Sequence, residues 1–194
     1  MIDHGFTTEE NMVLNFLKTE IESPRFGSII KDVLTQSGLD QALLIDRADL
    51  GNTIDNQTRM VLLKALRWYL FPGFPPNVQW RRADLEPTDL KRLKYAKFQS
   101  WITLSGGSRL VSDGAKNVDT ITTDDKVEAN VKAVVEQLRL GKRYPELIVV
   151  QGAGEDLILV EGHTRATAYV LAKPIEHIPS LVGTSSQMDQ WKRY

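Results

Sequence analysis

Two four-residue apolar runs, Leu147-Ile148-Val149-Val150 and Leu157-Ile158-Leu159-Val160, stand six residues apart in this chain. They are short and rich in β-branched side chains, which predicts a pair of buried strands rather than helix. The intervening Gln151-Gly152-Ala153-Gly154-Glu155-Asp156 holds the glycines that a tight turn needs. Beyond Gly162 the apolar spacing becomes helical and stays so to Ala172. A last apolar run from Ile178 to Val182 is broken by Pro179, which predicts a place at the edge of a sheet.

The front half reads differently. Thr7 and Glu10 form a capping box ahead of Met12, Val13, Phe16, Leu17 and Ile21, and Ser23-Pro24 stops that pattern. Phe26, Ile29, Ile30, Val33 and Leu34 repeat it up to Ser37-Gly38, and a third set runs from about Asn56 through Met60, Leu63, Leu66, Tyr69 and Leu70. Phe71-Pro72-Gly73-Phe74-Pro75-Pro76 cannot continue a helix and marks the main internal boundary. The N-terminal stretch with His4 reads as frayed. Glu86-Pro87-Thr88-Asp89 predicts a further helix start, followed by Leu90, Leu93, Phe98 and Trp101. Asp124 is placed to cap a helix with Val127, Val131, Val134 or Val135, and Leu138 inside and Gly141 at its end. The expected fold class is therefore α+β, with a helical N-terminal region (1–80), a basic connecting helix (81–104) and a mixed-sheet domain with helices (105–194). Trp68, Trp80, Trp101 and Trp191, with Tyr69 and Tyr95, read as packing residues rather than a base-stacking platform.

Composition narrows the chemistry. The absence of cysteine excludes a thiolate nucleophile, a disulfide framework and a cysteine-ligated metal or cluster. A formal charge of −1 gives no whole-molecule attraction to nucleic acid, so any anion site must be local. The basic segment is 76–116, with eight cations against four anions. No apolar stretch approaches the roughly 18 residues of a membrane span and no basic-then-apolar leader opens the chain, so a cytoplasmic protein without a membrane partner is expected.

The block Glu161-Gly162-His163-Thr164-Arg165 combines the features of a phosphate site. A strand delivers the chain to a glycine, and the helix that follows begins with unpaired N–H groups at the positive end of its dipole. His163 and Arg165 add donors, Arg with a planar fork, and Thr164 adds a hydroxyl. The bland alternative is a turn in which Arg165 pairs with Glu161 and His163 caps or supports. Glu161 is the candidate base for phosphoryl chemistry, with neutralisation of Arg165 as its other reading. Glu128 is either an acid facing this block or favourable charge in a first helical turn. Ser105-Gly106-Gly107-Ser108-Arg109 is a second loop with exposed amides and a cation. Arg81, Arg82, Lys91, Arg92, Lys94 and Lys97 could follow a nucleic-acid backbone if they share a face; otherwise they are solvated. No histidine joins His163 in a visible metal set, and the metal assignment stays unknown.

The same block, Val160-Glu161-Gly162-His163-Thr164-Arg165-Ala166-Thr167-Ala168, resembles the nucleotide-binding box of the ParB/sulfiredoxin superfamily. Upstream, the helix 127–140, Gly141, Pro145 and the strand 147–150 follow that family's order of parts, and Ile178-Pro179-Ser180-Leu181-Val182 resembles the strand after the box helix. The likeness spans about residues 105–185. It implies that Gly162, His163 and Arg165 contact phosphates, with Glu161 beside them and Arg109 as a second clamp; the Thr164 hydroxyl is a further phosphate-binding candidate from its place in the first turn. His163, Glu161 and Arg165 are the catalytic candidates, and ATP, CTP or ADP with magnesium the implied ligand. The sulfiredoxin cysteine is missing, which excludes sulfinic-acid reduction. Only 29 residues follow Arg165, so the helix-turn-helix of partition proteins and their centromere binding are not expected. The chain looks most like the uncharacterised bacterial or phage members with N-terminal helices of their own. The implied activity is nucleotide hydrolysis or phosphoryl transfer. The alternatives are a ParB-like nuclease on DNA or RNA, guided by Arg81, Arg82, Lys91, Arg92 and Lys94, and a non-catalytic module whose N-terminal helices dock a protein partner.

Overall fold

The computed structural model describes residues 1–23, 25–172 and 177–194. The fold is α+β and divides into two compact units, Thr7–Pro72 and Met1–Phe6 with Gly73–Tyr194. The division falls inside the proline- and glycine-rich stretch 71–76.

The helical unit is built from α1 (Glu9–Ile21), α2 (Gly27–Gln36), a π-helical turn (Ala42–Asp46) and α3 (Thr53–Arg67). Phe16, Leu17, Ile30, Ile45 and Leu63 are its buried centre. The cap of α1 is Thr8, whose Oγ1 accepts the Asn11 N–H at 3.3 Å, and not Thr7, because the strand β1 (Ile2–Thr7) runs through Thr7. Pro24, expected to stop the first helix, lies outside the described residues. Asn52 caps α3, which starts three residues earlier than its apolar repeat suggested. Two arginines are buried here. Arg67 pairs with Glu20 at 2.5 Å and lies over the rings of Phe16, Phe26 and Tyr69. Arg59 donates to the carbonyls of Leu44 (2.7 Å) and Asp49 (3.1 Å), bracing the π-helical turn against α3. Trp68, expected in the core, is 72% exposed.

The second unit is a six-stranded mixed sheet in the order β1-β2-β6-β4-β5-β3. Its strands after β1 are β2 (Gln79–Leu85), β3 (Leu93–Lys94), β4 (Leu147–Gln151), β5 (Leu157–Glu161) and β6 (Ile178–Thr184). β2 and β6 are antiparallel with Trp80 opposite Gly183, β6 and β4 parallel with Leu181 opposite Ile148, and β4 and β5 antiparallel with Val150 opposite Ile158. β4 and β5 are interior strands buried on both faces, which is why they read as unbroken apolar runs. One face packs Leu147, Val149, Leu157 and Leu159 under α4 (Gln99–Leu104), α5 (Val111–Asn117), α6 (Val127–Arg139) and α7 (His163–Ala172), through Trp101, Val111, Val131 and Ala166.

Four expectations are corrected. The basic connecting helix over 81–104 is instead β2, a 3-10 turn (Asp89–Lys91), β3 and, at its end, α4. The buried Asp89 carboxylate accepts the Glu86 N–H at 3.1 Å and pairs with Arg92 at 2.8 Å, closing a single turn where a helix was expected to continue. β6 is interior, not an edge. Pro179 precedes the point where β4 joins, since the parallel register begins at Leu147 opposite Ser180, so the missing N–H breaks no bond on that side. The residues around His4 are the edge strand β1, with His4 Nε2 3.1 Å from the Asp84 carboxylate. Finally, Asp124 does not cap α6: the N-cap position is Lys126, at φ +51°, and the first helical N–H is met from Thr123, three residues before it. Thr123 Oγ1 accepts the Val127 N–H at 3.0 Å, and the Glu128 carboxylate reaches back to the Thr123 N–H and hydroxyl at 3.2 and 2.8 Å.

Among the described residues no helix is long and apolar enough to cross a membrane. Thr123→Ala removes both hydroxyl bonds at the start of α6, those with the Val127 N–H and the Glu128 carboxylate, keeps the backbone N–H bond to Glu128, and is expected to cost about 1–2 kcal/mol in urea unfolding, while Asp124→Ala leaves stability within about 0.5 kcal/mol.

Candidate functional site

The junction of β5 and α7 is shaped by an irregularity that periodicity does not reveal. Ile148 lies opposite Glu161 and Val149 opposite Leu159, so Val160 is an extra residue on β5, a bulge that re-aims the strand end just before the turn. Gly162 then turns at φ +99°, and a Cβ there would lie 2.5 Å from Leu147 Cδ2 and 3.1 Å from Arg165 Nη2. Both the backbone angle and the space demand glycine. The Gly162 carbonyl accepts the first helical bond of α7, from the Ala166 N–H at 2.8 Å.

The structure brings Glu161, Gly162, His163, Thr164 and Arg165 together but gives the charged groups inward partners. Arg165 is 5% exposed. Its Nη1 donates to the Pro145 carbonyl at 2.5 Å, and its Nη2, which makes no hydrogen bond, lies 3.6 Å from Glu161 Oε1. Of the two readings of Glu161, the carboxylate beside Arg165 is the one whose contact is present. His163 is 8% exposed and enclosed by aromatic rings: Tyr95 stacked at 6.0 Å, Trp101 at 5.5 Å and Phe98 edge-on at 5.7 Å. Its Nε2 accepts the Ala96 N–H at 3.3 Å. An amide can only donate, so this imidazole is the neutral tautomer with its proton on Nδ1. Thr164 is partly exposed in the first turn of α7.

Hydrogen bonds from Tyr95 and Thr167 lock that turn. The buried Tyr95 hydroxyl lies 2.7 Å from Thr167 Oγ1, and the Thr167 hydroxyl proton goes to the His163 carbonyl at 2.8 Å, so Tyr95 is the donor of the first bond. Gly114 of α5 makes room for it, because a Cβ there would lie 2.3 Å from the Tyr95 oxygen. Burial pushes the Tyr95 hydroxyl well above the usual phenol range.

The other candidates fall elsewhere. Arg109 spends its guanidinium on three main-chain carbonyls, Tyr95 at 2.8 Å, Tyr194 at 3.1 Å and Arg193 at 3.4 Å. Glu128 is engaged by Thr123 ahead of α6, and hydrogen bonds, first from its own backbone amide, hold its carboxyl below the usual range. Four of the five proposed nucleic-acid cations face carboxylates: Arg81 with Asp3 (3.0 Å), Arg82 with Glu146 (3.2 Å), Arg92 with Asp89 (2.8 Å) and Lys94 with Asp156 (2.6 Å). Arg81 and Arg82 are neighbours on β2 and so point to opposite faces of the sheet. Lys91 is exposed. Among the described residues no group of three or more His, Asp or Glu side chains is arranged to hold a metal.

Sequence reasoning missed the segment 95–98 as the wall of the site. Its signal, the aromatic cluster Tyr95, Phe98 and Trp101, is visible in the sequence, but only the fold sets it around His163. Comparison of the chain with protein-family models, with curated proteins and with solved structures finds no match.

Gly162→Ala is expected to lose about 2–4 kcal/mol in thermal or chemical unfolding, from backbone strain together with the clash on Leu147. The raised Tyr95 hydroxyl predicts a pH effect of definite sign. Above about pH 10 the unfolded chain releases a phenol proton that the folded chain keeps, so stability falls as pH rises. Ultraviolet titration of Tyr95→Phe against the parent chain checks this: the phenolate signal near pH 10 should be unchanged by the substitution while the fold persists.

Proposed function

We propose that the β5–α7 junction binds the phosphate chain of a nucleotide, as the resemblance to the ParB/sulfiredoxin superfamily implies. The observation that carries this reading is the turn itself. Gly162 at φ +99° leads directly into a ten-residue helix, whose first-turn amides and positive dipole end form a site for anions, with Thr164 partly exposed among them.

The contacts of His163 and Arg165 give them a different share of the work from the one first expected. His163 is neutral and enclosed, and Arg165 is tied to Pro145 and Glu161, so both hold the turn from behind. The phosphate meets main-chain N–H groups and the Thr164 hydroxyl, and the nearby buried guanidinium adds attraction through a medium of low dielectric. The described residues supply no cage for a magnesium ion, so a metal would arrive with the phosphates and their waters. Hydrolysis or phosphoryl transfer would draw on Glu161, the carboxylate beside this turn.

Titration calorimetry with ATP, CTP and ADP, with and without magnesium, tests the reading. Binding is expected in the parent chain, with a loss of tenfold or more in Thr164→Glu. A carboxylate in a helical first turn favours the helix, so that variant separates repulsion of phosphate from loss of fold. Absence of binding to all three nucleotides, or equal binding by Thr164→Glu, overturns it. Release of inorganic phosphate from the same mixtures, lost in Glu161→Gln with binding retained, would establish turnover.

A further inference from the structure

Residues 191–194 are tied to the wall of the β5–α7 junction by an unusual set of contacts. Trp191 is 1% exposed and meets the Phe74 ring edge-on at 5.4 Å. After this anchor the chain engages polar groups. The Lys97 N–H donates to the Arg193 carbonyl at 2.9 Å, and Arg193 Nη1 donates back to the Lys97 carbonyl at 3.0 Å with its guanidinium 4.7 Å over the Phe98 ring. The Tyr194 hydroxyl accepts the Gly152 N–H at 3.0 Å. Arg109 bolts the arrangement by reaching the carbonyls of Tyr95, Arg193 and Tyr194 at once. It does so from φ +63°, a strained conformation for a residue with a Cβ, with its own N–H held by Ser105 Oγ at 3.0 Å.

The segment that Arg193 grips is the one that grips the junction, and Tyr194 is joined to it through Arg109. Ala96 donates its N–H to His163, and the rings of Tyr95 and Phe98 flank the same imidazole. Lys192 is exposed and Arg193 and Tyr194 are half-buried, so this stretch buries little apolar surface beyond Trp191 and belongs among the parts of a fold that open locally at small cost.

We propose that residues 192–194 are a latch, with Arg109 as its bolt, that orders 95–98 and through it His163 and the first turn of α7. Arg109 is thus a positioning residue that acts through Tyr95 and Ala96, not a phosphate ligand. Coupling of this kind is reciprocal: a ligand that needs the ordered turn also tightens the latch. The identity of that ligand rests on the nucleotide reading above; the mechanical coupling does not.

Hydrogen exchange on the full chain tests the latch, with Tyr194→Phe and Arg109→Lys beside the parent. Tyr194→Phe removes one hydroxyl and keeps the ring, so folding is preserved. A lysine in place of Arg109 can reach one carbonyl where the guanidinium reaches three. Both variants are expected to speed exchange of the Lys97 and Ala96 amides together by about tenfold, with an unchanged far-ultraviolet spectrum. ATP with magnesium added to the parent is expected to slow exchange at Gly152 and Lys97. Faster exchange at Gly152 alone in Tyr194→Phe, with Lys97 and Ala96 as protected as in the parent, overturns the latch. Failure of the parent to bind ATP in calorimetry instead removes the nucleotide reading, and the exchange pattern of the two variants still decides the latch.

Discussion

The burial of β4 and β5 on both faces is the constraint from which the rest of this structure follows. The eight residues 147–150 and 157–160 have almost no solvent contact, and both strands lie in the interior of the sheet with a neighbour on each side. β6 and β3 supply those neighbours, and α4 to α7 cover one face. α7 follows β5 directly and packs on the sheet through Ala166 and Ala168. The start of α7 is therefore fixed by the end of a rigid, buried strand, which is what a site requiring well-placed main-chain amides needs.

Arginine has a consistent second role in this molecule. Arg59, Arg109 and Arg165 each send guanidinium N–H groups to main-chain carbonyls of a distant segment, gathering the π-helical turn, the 193–194 stretch and the chain before β4. A planar fork with five donors can satisfy several fixed acceptors at once, which an ammonium on a flexible stem does less well. Carbonyl acceptors leave no trace in a sequence. A cation tied to them looks identical, in one dimension, to a cation waiting for a phosphate. This is why Arg109 and Arg165 read as ligands from the sequence while the fold shows their carbonyl partners.

The site itself was legible in outline and not in detail. Strand, glycine and helix at 157–172 follow from local rules, because residue period and the need for positive φ act over a few neighbours. The bulge at Val160 and the aromatic wall from 95–101 depend on contacts with segments far away in the chain, and so does the neutral state of His163.

By itself the sequence determined the helical pattern of the first unit, the break near 72, the β4–β5 pair, the turn at Gly162 and the length of α7, all through interactions that span a few residues. Tertiary structure alone decided that β1 and β2 exist, that Pro179 lies in an interior strand, and which cations are spent on carboxylates or carbonyls. The partners in those cases lie far apart along the chain, as Trp80 and Gly183 do, and a side chain's role is set by whichever group the fold brings within hydrogen-bonding reach.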